Sequence, residues 1–207
     1  MNCILCVKHW CMELSNELSF HRSNALACLA LAKRIASHLS KTNVCPVIVC
    51  IGSDRVPGDS LGPVVGTMLE EKRTPAYLYG TLRSPMTARE IAPLQRFLER
   101  THPGAPVIAV DAAVGKSEEV GLIKLNASPL YPGSGAQKQL GSIGDLSVLG
   151  IVAERERGFR ALELVRLGNV YAMAEVISDA LASAIQTLCL SLRSCKKRSK
   201  VFAERSF

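Results

Sequence analysis

Residues 46–51 read Pro-Val-Ile-Val-Cys-Ile, and residues 106–114 read Pro-Val-Ile-Ala-Val-Asp-Ala-Ala-Val. Neither run alternates apolar with polar residues. A strand that is apolar on both sides has to be covered on both faces. A parallel sheet packed between helices meets that condition. Only 5% of the chain is aromatic against 48% hydrophobic overall, so Val, Ile, Leu and Ala must fill the core.

The rest of the chain alternates in the same sense. Further strands are expected at 77–82, 121–125 and 146–152. Helical spacing is expected over 12–40, 60–72, 87–100, 158–167 and 168–193, with Thr87 and Glu90 forming a capping box at the third of these. This order predicts an α/β fold with a mainly parallel sheet and helices on both faces. The chain divides into an N-terminal segment and helix (1–40), one α/β domain (41–193) and a basic tail (194–207).

Charge and cysteine usage narrow the function classes. The formal net charge is +7, and residues 193–200 supply five Lys or Arg with no acid. That stretch reads as a solvated, mobile tail. No aromatic residue interleaves with it, so nucleic acid is not the expected partner. No run reaches the roughly 18 apolar residues that span a bilayer, and no signal peptide is evident. Eight cysteines in a chain of this length, several in apolar runs such as those holding Cys28, Cys45 and Cys50, read as reduced, buried thiols. The expected location is therefore the cytoplasm. Cys3, Cys6, His9 and Cys11 are four soft ligands, too cramped for two separated ligand pairs. They are read as part of a frayed N-terminus rather than as a zinc site.

In open α/β sheets, ligands bind beyond the carboxyl ends of the strands. That rule selects the loops after Ile51 and Val110, and both carry aspartate. In Ile51–Pro63, IGSDRVPGDSLGP, Asp59 stands at a helix start, where a capping role is the local alternative to a chemical one. Asp111 follows a strand of Val, Ile and Ala, where a charge is costly unless it faces a site or a partner. Two carboxylates on one sheet edge can share a proton and activate water, or hold a divalent metal. Arg55 and Arg83 flank them and are candidates to bind a peptide carboxylate or to lower the pKa of Asp59. The Gly-rich stretch 131–145 contains Pro132, Gly133, Ser134 and Gly135 and is a candidate substrate-binding loop.

The string GDSL at 58–61 also suggests a serine esterase with Ser60 as nucleophile. Such a serine needs a histidine base, which in those hydrolases follows an Asp by three residues near the C-terminus. The four histidines are His9, His21, His38 and His102, and none follows position 102. The esterase is therefore ranked below the aspartate readings. His102, beside Pro103, reads as an exposed turn residue.

The motifs IGSDRVPGDSLGP, YGTLRSP, HPGAPVIAVDAAVG, PLYPGSG and GDLSVLGIV, in order over residues 45–180, resemble the YyaC family of sporulation proteins. Through it the chain is similar to the germination protease that degrades small acid-soluble spore proteins. The resemblance implies a phosphorylase/hydrolase-like three-layer sandwich, shared with hydrogenase maturation proteases. It implies catalytic roles for Asp59 and Asp111 and a substrate role for the Pro132–Gly135 loop. In the maturation proteases, residues placed like Asp59 and Asp111 bind metal with a histidine, and no histidine of this chain falls at that third place. The implied function is an aspartate-dependent peptidase acting on a protein or peptide substrate in the sporulating cell. A non-enzymatic binding or regulatory protein on the same fold is the rival.

Overall fold

The computed structural model describes residues 17–42, 44–132, 141–157 and 160–203, with backbone only for 157 and 191–203. Six strands form one sheet: β1 (Glu17–His21), β2 (Val47–Cys50), β3 (Tyr77–Tyr79), β4 (Val107–Gly115), β5 (Leu122–Asn126) and β6 (Leu146–Glu154), in the spatial order β1-β5-β6-β4-β2-β3. The helices are α1 (Ala27–Leu39), α2 (Leu61–Glu71), α3 (Ile91–Thr101), the single turn α4 (Arg160–Glu163) and α5 (Leu167–Ala203). β6, β4, β2 and β3 are mutually parallel; β5 runs antiparallel to β6, and the edge strand β1 runs antiparallel to β5. The fold is mixed α/β on a mostly parallel sheet, as the apolar runs require.

The two apolar runs occupy the centre, and their side chains divide between two hydrophobic clusters. Ile48, Cys50, Ile108 and Val110 pack with α1, α2 and α5. Val47, Val49, Ile51 and Ala109 pack with Ile91, Leu94 and Leu98 of α3. Successive residues of a strand point to opposite sides, so both sides of β2 and β4 are buried. Each fully buried Ile or Val contributes on the order of 1.5–3 kcal/mol. The capping box of Thr87 and Glu90 is present, with the Glu90 carboxylate accepting the Thr87 amide at 2.8 Å.

Several expectations change. A helix was expected over 12–40, but Glu17–His21 is a strand with alternating exposure, paired to β5 from Glu17↔Asn126 to His21↔Leu122. Leu18 and Phe20 suit either period, and only the distant partner β5 selects the strand. α1 then starts after Asn24, whose Oδ1 accepts the Leu26 amide at 2.9 Å. β3 ends at Tyr79 rather than 82, and among the described residues between 158 and the start of α5 at Leu167, helix is limited to α4. α5 runs past Arg193 to Ala203, so much of the expected tail continues a helix. Its stretch Leu167–Leu190 is long and apolar enough to cross a membrane by length and composition. One side of that stretch, including Val170, Ile177, Leu181 and Ile185, is buried in the core, as in a packed helix of a globular domain. Among the described cysteines, Cys50 is buried and Cys28 half-buried, but Cys45 is exposed, at the turn leading into β2.

Ile48 lies in the middle of β2 with no exposed surface. Ile48→Ala should lower unfolding stability by about 2–5 kcal/mol, measured by denaturant titration.

Candidate functional site

β2 and β4 pair from Val47↔Val107 to Cys50↔Val110, and the Ile51 amide still donates to the Val110 carbonyl at 2.7 Å. There β2 turns away. β4 continues beside β6, with Asp111 opposite Leu149. Asp111 is thus the first β4 residue beyond the last contact with β2. It therefore lies at the carboxyl edge of the paired β2–β4 segment, and it is buried there. It follows Ala109 by two residues, which puts it on the α3 side.

The loop from β2 folds back tightly over this edge. Gly52 has φ +142°, and a Cβ there would lie 2.0 Å from the Asp59 carbonyl oxygen. A Cβ on Gly62 would lie 2.0 Å from the Ile51 carbonyl oxygen. Both glycines let the start of α2 come into backbone contact with the end of β2. Hydrogen bonds then hold the loop: Gly52 N–H to Met86 O at 2.9 Å, Ser53 N–H to Asp59 O at 3.1 Å, and Asp59 N–H to Val56 O at 2.9 Å. Asp59 stands in the 3₁₀ turn Pro57–Ser60 that leads into α2, whose N-cap residue is Ser60 rather than Asp59.

This geometry brings the two aspartates into one electrostatic unit. Burial raises the Asp111 carboxyl well above the usual aspartate value, the charge of Asp59 raises it further, and the Ala112 amide opposes the shift. That amide donates to Asp111 Oδ1 at 2.8 Å. Asp59 is half-buried, and its carboxyl is raised by burial against a backbone hydrogen bond from Ser53. Arg55 does not hold Asp59 down, contrary to expectation, because its side chain is exposed and burial dominates. Asp111 keeps its proton to higher pH, and Asp59 is the more accessible partner.

The other candidates are placed as follows. Arg55 and Arg83 are exposed in the loops after β2 and β3. The Arg83 loop is tied to α2 by Thr67, whose hydroxyl accepts the Leu82 amide at 2.9 Å and donates to Pro63 O at 3.0 Å. Pro132 is buried. Gly133, Ser134 and Gly135 lie outside the described residues, as does the Cys3, Cys6, His9 and Cys11 cluster. Mutual backbone bonds between Leu130 and Ile143, each 2.9 Å, close the base of the 131–142 stretch within the α3-side cluster. Ser53, Thr67 and Met86 are positioning residues that sequence reasoning missed. Only Ser53 carried a signal, as a small polar residue in a Gly-Ser-Asp turn.

Ser60 is only 4% exposed, and its hydroxyl donates to the Pro57 carbonyl at 2.7 Å. The described histidines do not serve it. His21 bonds Ser23, and His38 lies on α1. His102 is not an exposed turn residue: it is half-buried, stacked on Tyr77 with ring centroids 3.9 Å apart, and bonded to Tyr79 Oη at 2.7 Å. For a metal, Asp59 and Asp111 offer two carboxylates, and no group of three His, Cys, Asp or Glu exists among the described residues. The donors do not fit the three-ligand scheme that the resemblance implies.

The family model described as "Protein of unknown function (DUF1256)" matches residues 19–180. The chain is 38% identical over 170 residues to "Uncharacterized protein YyaC" of Bacillus subtilis (strain 168), covering 80% of this chain and 82% of that protein. Asp59, Asp111 and the residues that position them all fall within the matched region.

Two outcomes follow from this geometry. Gly52→Ala should cost about 1–3 kcal/mol or more, since its φ is strained for alanine and its Cβ meets backbone, as a thermal melt will register. The second concerns pH. A carboxyl with a raised folded pKa binds its proton more readily folded than unfolded. Its penalty is absent below the unfolded value of about 3.9 and grows as pH rises through the folded value. Asp111→Asn keeps the Oδ1 acceptor and removes the charge. It should therefore raise Tm at neutral pH, with the gain vanishing in acid. A lower Tm at neutral pH would make Asp111 a structural polar group.

Proposed function

The chain belongs to the DUF1256 family, and on that premise we propose that it is a peptidase of the sporulating cell whose aspartate pair cleaves a peptide bond. The observation that carries this reading is the Asp111 carboxyl, raised first by burial and further by the neighbouring charge of Asp59. Two titratable groups whose surroundings separate their pKa values take opposite proton roles. Asp59, the more exposed, accepts a proton from water as its oxygen attacks the carbonyl carbon. Asp111 gives its proton toward the leaving nitrogen as the C–N bond breaks. The proton on Asp59 then returns the pair to its starting state through solvent. Arg55 and Arg83 hold the carboxylates of an extended substrate, and Pro132–Gly135 supplies backbone contacts. The parallel core strands, covered by α1, α2 and α5 on one side and α3 on the other, support the three-layer fold of hydrogenase maturation proteases. The substrate is a cytoplasmic protein or peptide.

Incubation with small spore proteins and with a peptide library tests this. The parent should cleave, and Asp59→Asn and Asp111→Asn should each lose about 10²–10⁴-fold in rate. Ser60→Ala should keep the activity, and a fluorophosphonate should not label the protein. Unchanged cleavage by Asp59→Asn would overturn the assignment. An inactive parent that still binds peptide through Asp59 would replace it with the binding reading.

A further inference from the structure

Away from the aspartate pair, a cavity of about 50 Å³ opens to solvent between the β1–α1 turn, the entry to β5, the end of β6 and the first turns of α5. Its apolar lining includes the half-buried Val120 and Val165, backed by the fully buried Val170 and Met173. Its polar side chains are Arg22 and Asn169. Arg22 is half-buried, and its Nη2 donates to Asn169 Oδ1 at 3.2 Å. Its backbone is fixed as well, since the Arg22 amide donates to the Gly121 carbonyl at 2.9 Å. Asn169 is a neutral partner, and Arg22 forms no ion pair with a carboxylate among the described residues.

The Arg22 guanidinium stands at the mouth of this cavity with a neutral, exposed partner and no carboxylate counter-charge among the described residues. It presents a planar fork that matches a carboxylate. The volume sets the size of that anion. A water needs roughly 10–15 Å³ of such space, so the cavity holds about three or four waters. A carboxylate with a short branched aliphatic group fits, whereas drug-sized ligands need pockets of about 300 Å³ or more. We propose that this cavity is a binding site for a small aliphatic carboxylate, held by Arg22 with its alkyl group against Val120 and Val165. The carboxylate belongs either to a free branched short-chain acid or to the C-terminal residue of a peptide. The site does not depend on the peptidase reading, because it shares no residue with the aspartate pair.

Isovalerate and an N-acetylated peptide ending in valine are titrated into the full chain and followed by calorimetry. The same peptide with an amidated C-terminus is the control. The free-acid peptide or isovalerate should bind, and the amide should not. Tighter binding of one over the other identifies the source of the carboxylate. Arg22→Gln should weaken binding by roughly ten- to a hundredfold, the loss expected for a hydrogen bond to a charged group, while its melting curve stays close to the parent's. Val165→Phe, which fills the cavity and keeps Arg22, should abolish binding. Equal binding of acid and amide, unchanged binding by Arg22→Gln, or no binding of either acid would overturn the proposal.

Discussion

The last hydrogen bond between β2 and β4, from the Ile51 amide to the Val110 carbonyl, decides where the site is. Up to that bond, two apolar strands satisfy each other's backbone and bury their side chains on both sides. Past it, β4 has β6 on one side only. A carboxyl placed at that step is enclosed enough to be desolvated, yet it stands at the mouth of the sheet. One residue earlier, the side chain would enter the α1, α2 and α5 cluster, where an unpaired charge is prohibitive.

Closing that step requires backbone to touch backbone. Gly52 and Gly62 permit it, and the Gly52–Met86 and Ser53–Asp59 hydrogen bonds lock the result. The consequence is electrostatic. Asp59 is carried over the edge on the turn preceding α2, and its charge acts on a neighbour that burial already disfavours as an anion. Burial and like charge push in one direction, and a single backbone amide opposes them. Two carboxyls shifted in this way are the arrangement that the proposed peptidase chemistry needs.

The same close approach of backbone accounts for the GDSL string: Gly58 packs against Leu162, and Gly62 packs against Ile51. The four residues are used for close approach and for entry into a helix. Ser60 turns inward to satisfy the Pro57 carbonyl. A short motif carries chemistry only when the fold around it supplies the partner groups.

Much was legible in the residue order. The two apolar runs had to become central strands, because nothing polar in them but Asp111 could face water. The Thr87–Glu90 box marked the start of α3, because capping is satisfied within four residues. Asp59 and Asp111 were visible as carboxylates at the ends of such runs. Other features depended on partners far along the chain. Glu17–His21 is a strand only because β5 lies beside it, since its two apolar residues suit either period. Arg22 meets Asn169 across 147 positions, so no local pattern announces the cavity between them. The opposition of Asp59 and Asp111, and the exposure of Arg55, follow from desolvation, which is a property of the packed surroundings. Local hydrogen bonding and apolar runs are written into neighbouring residues. Register, burial and the field between charges exist only once the strands are paired.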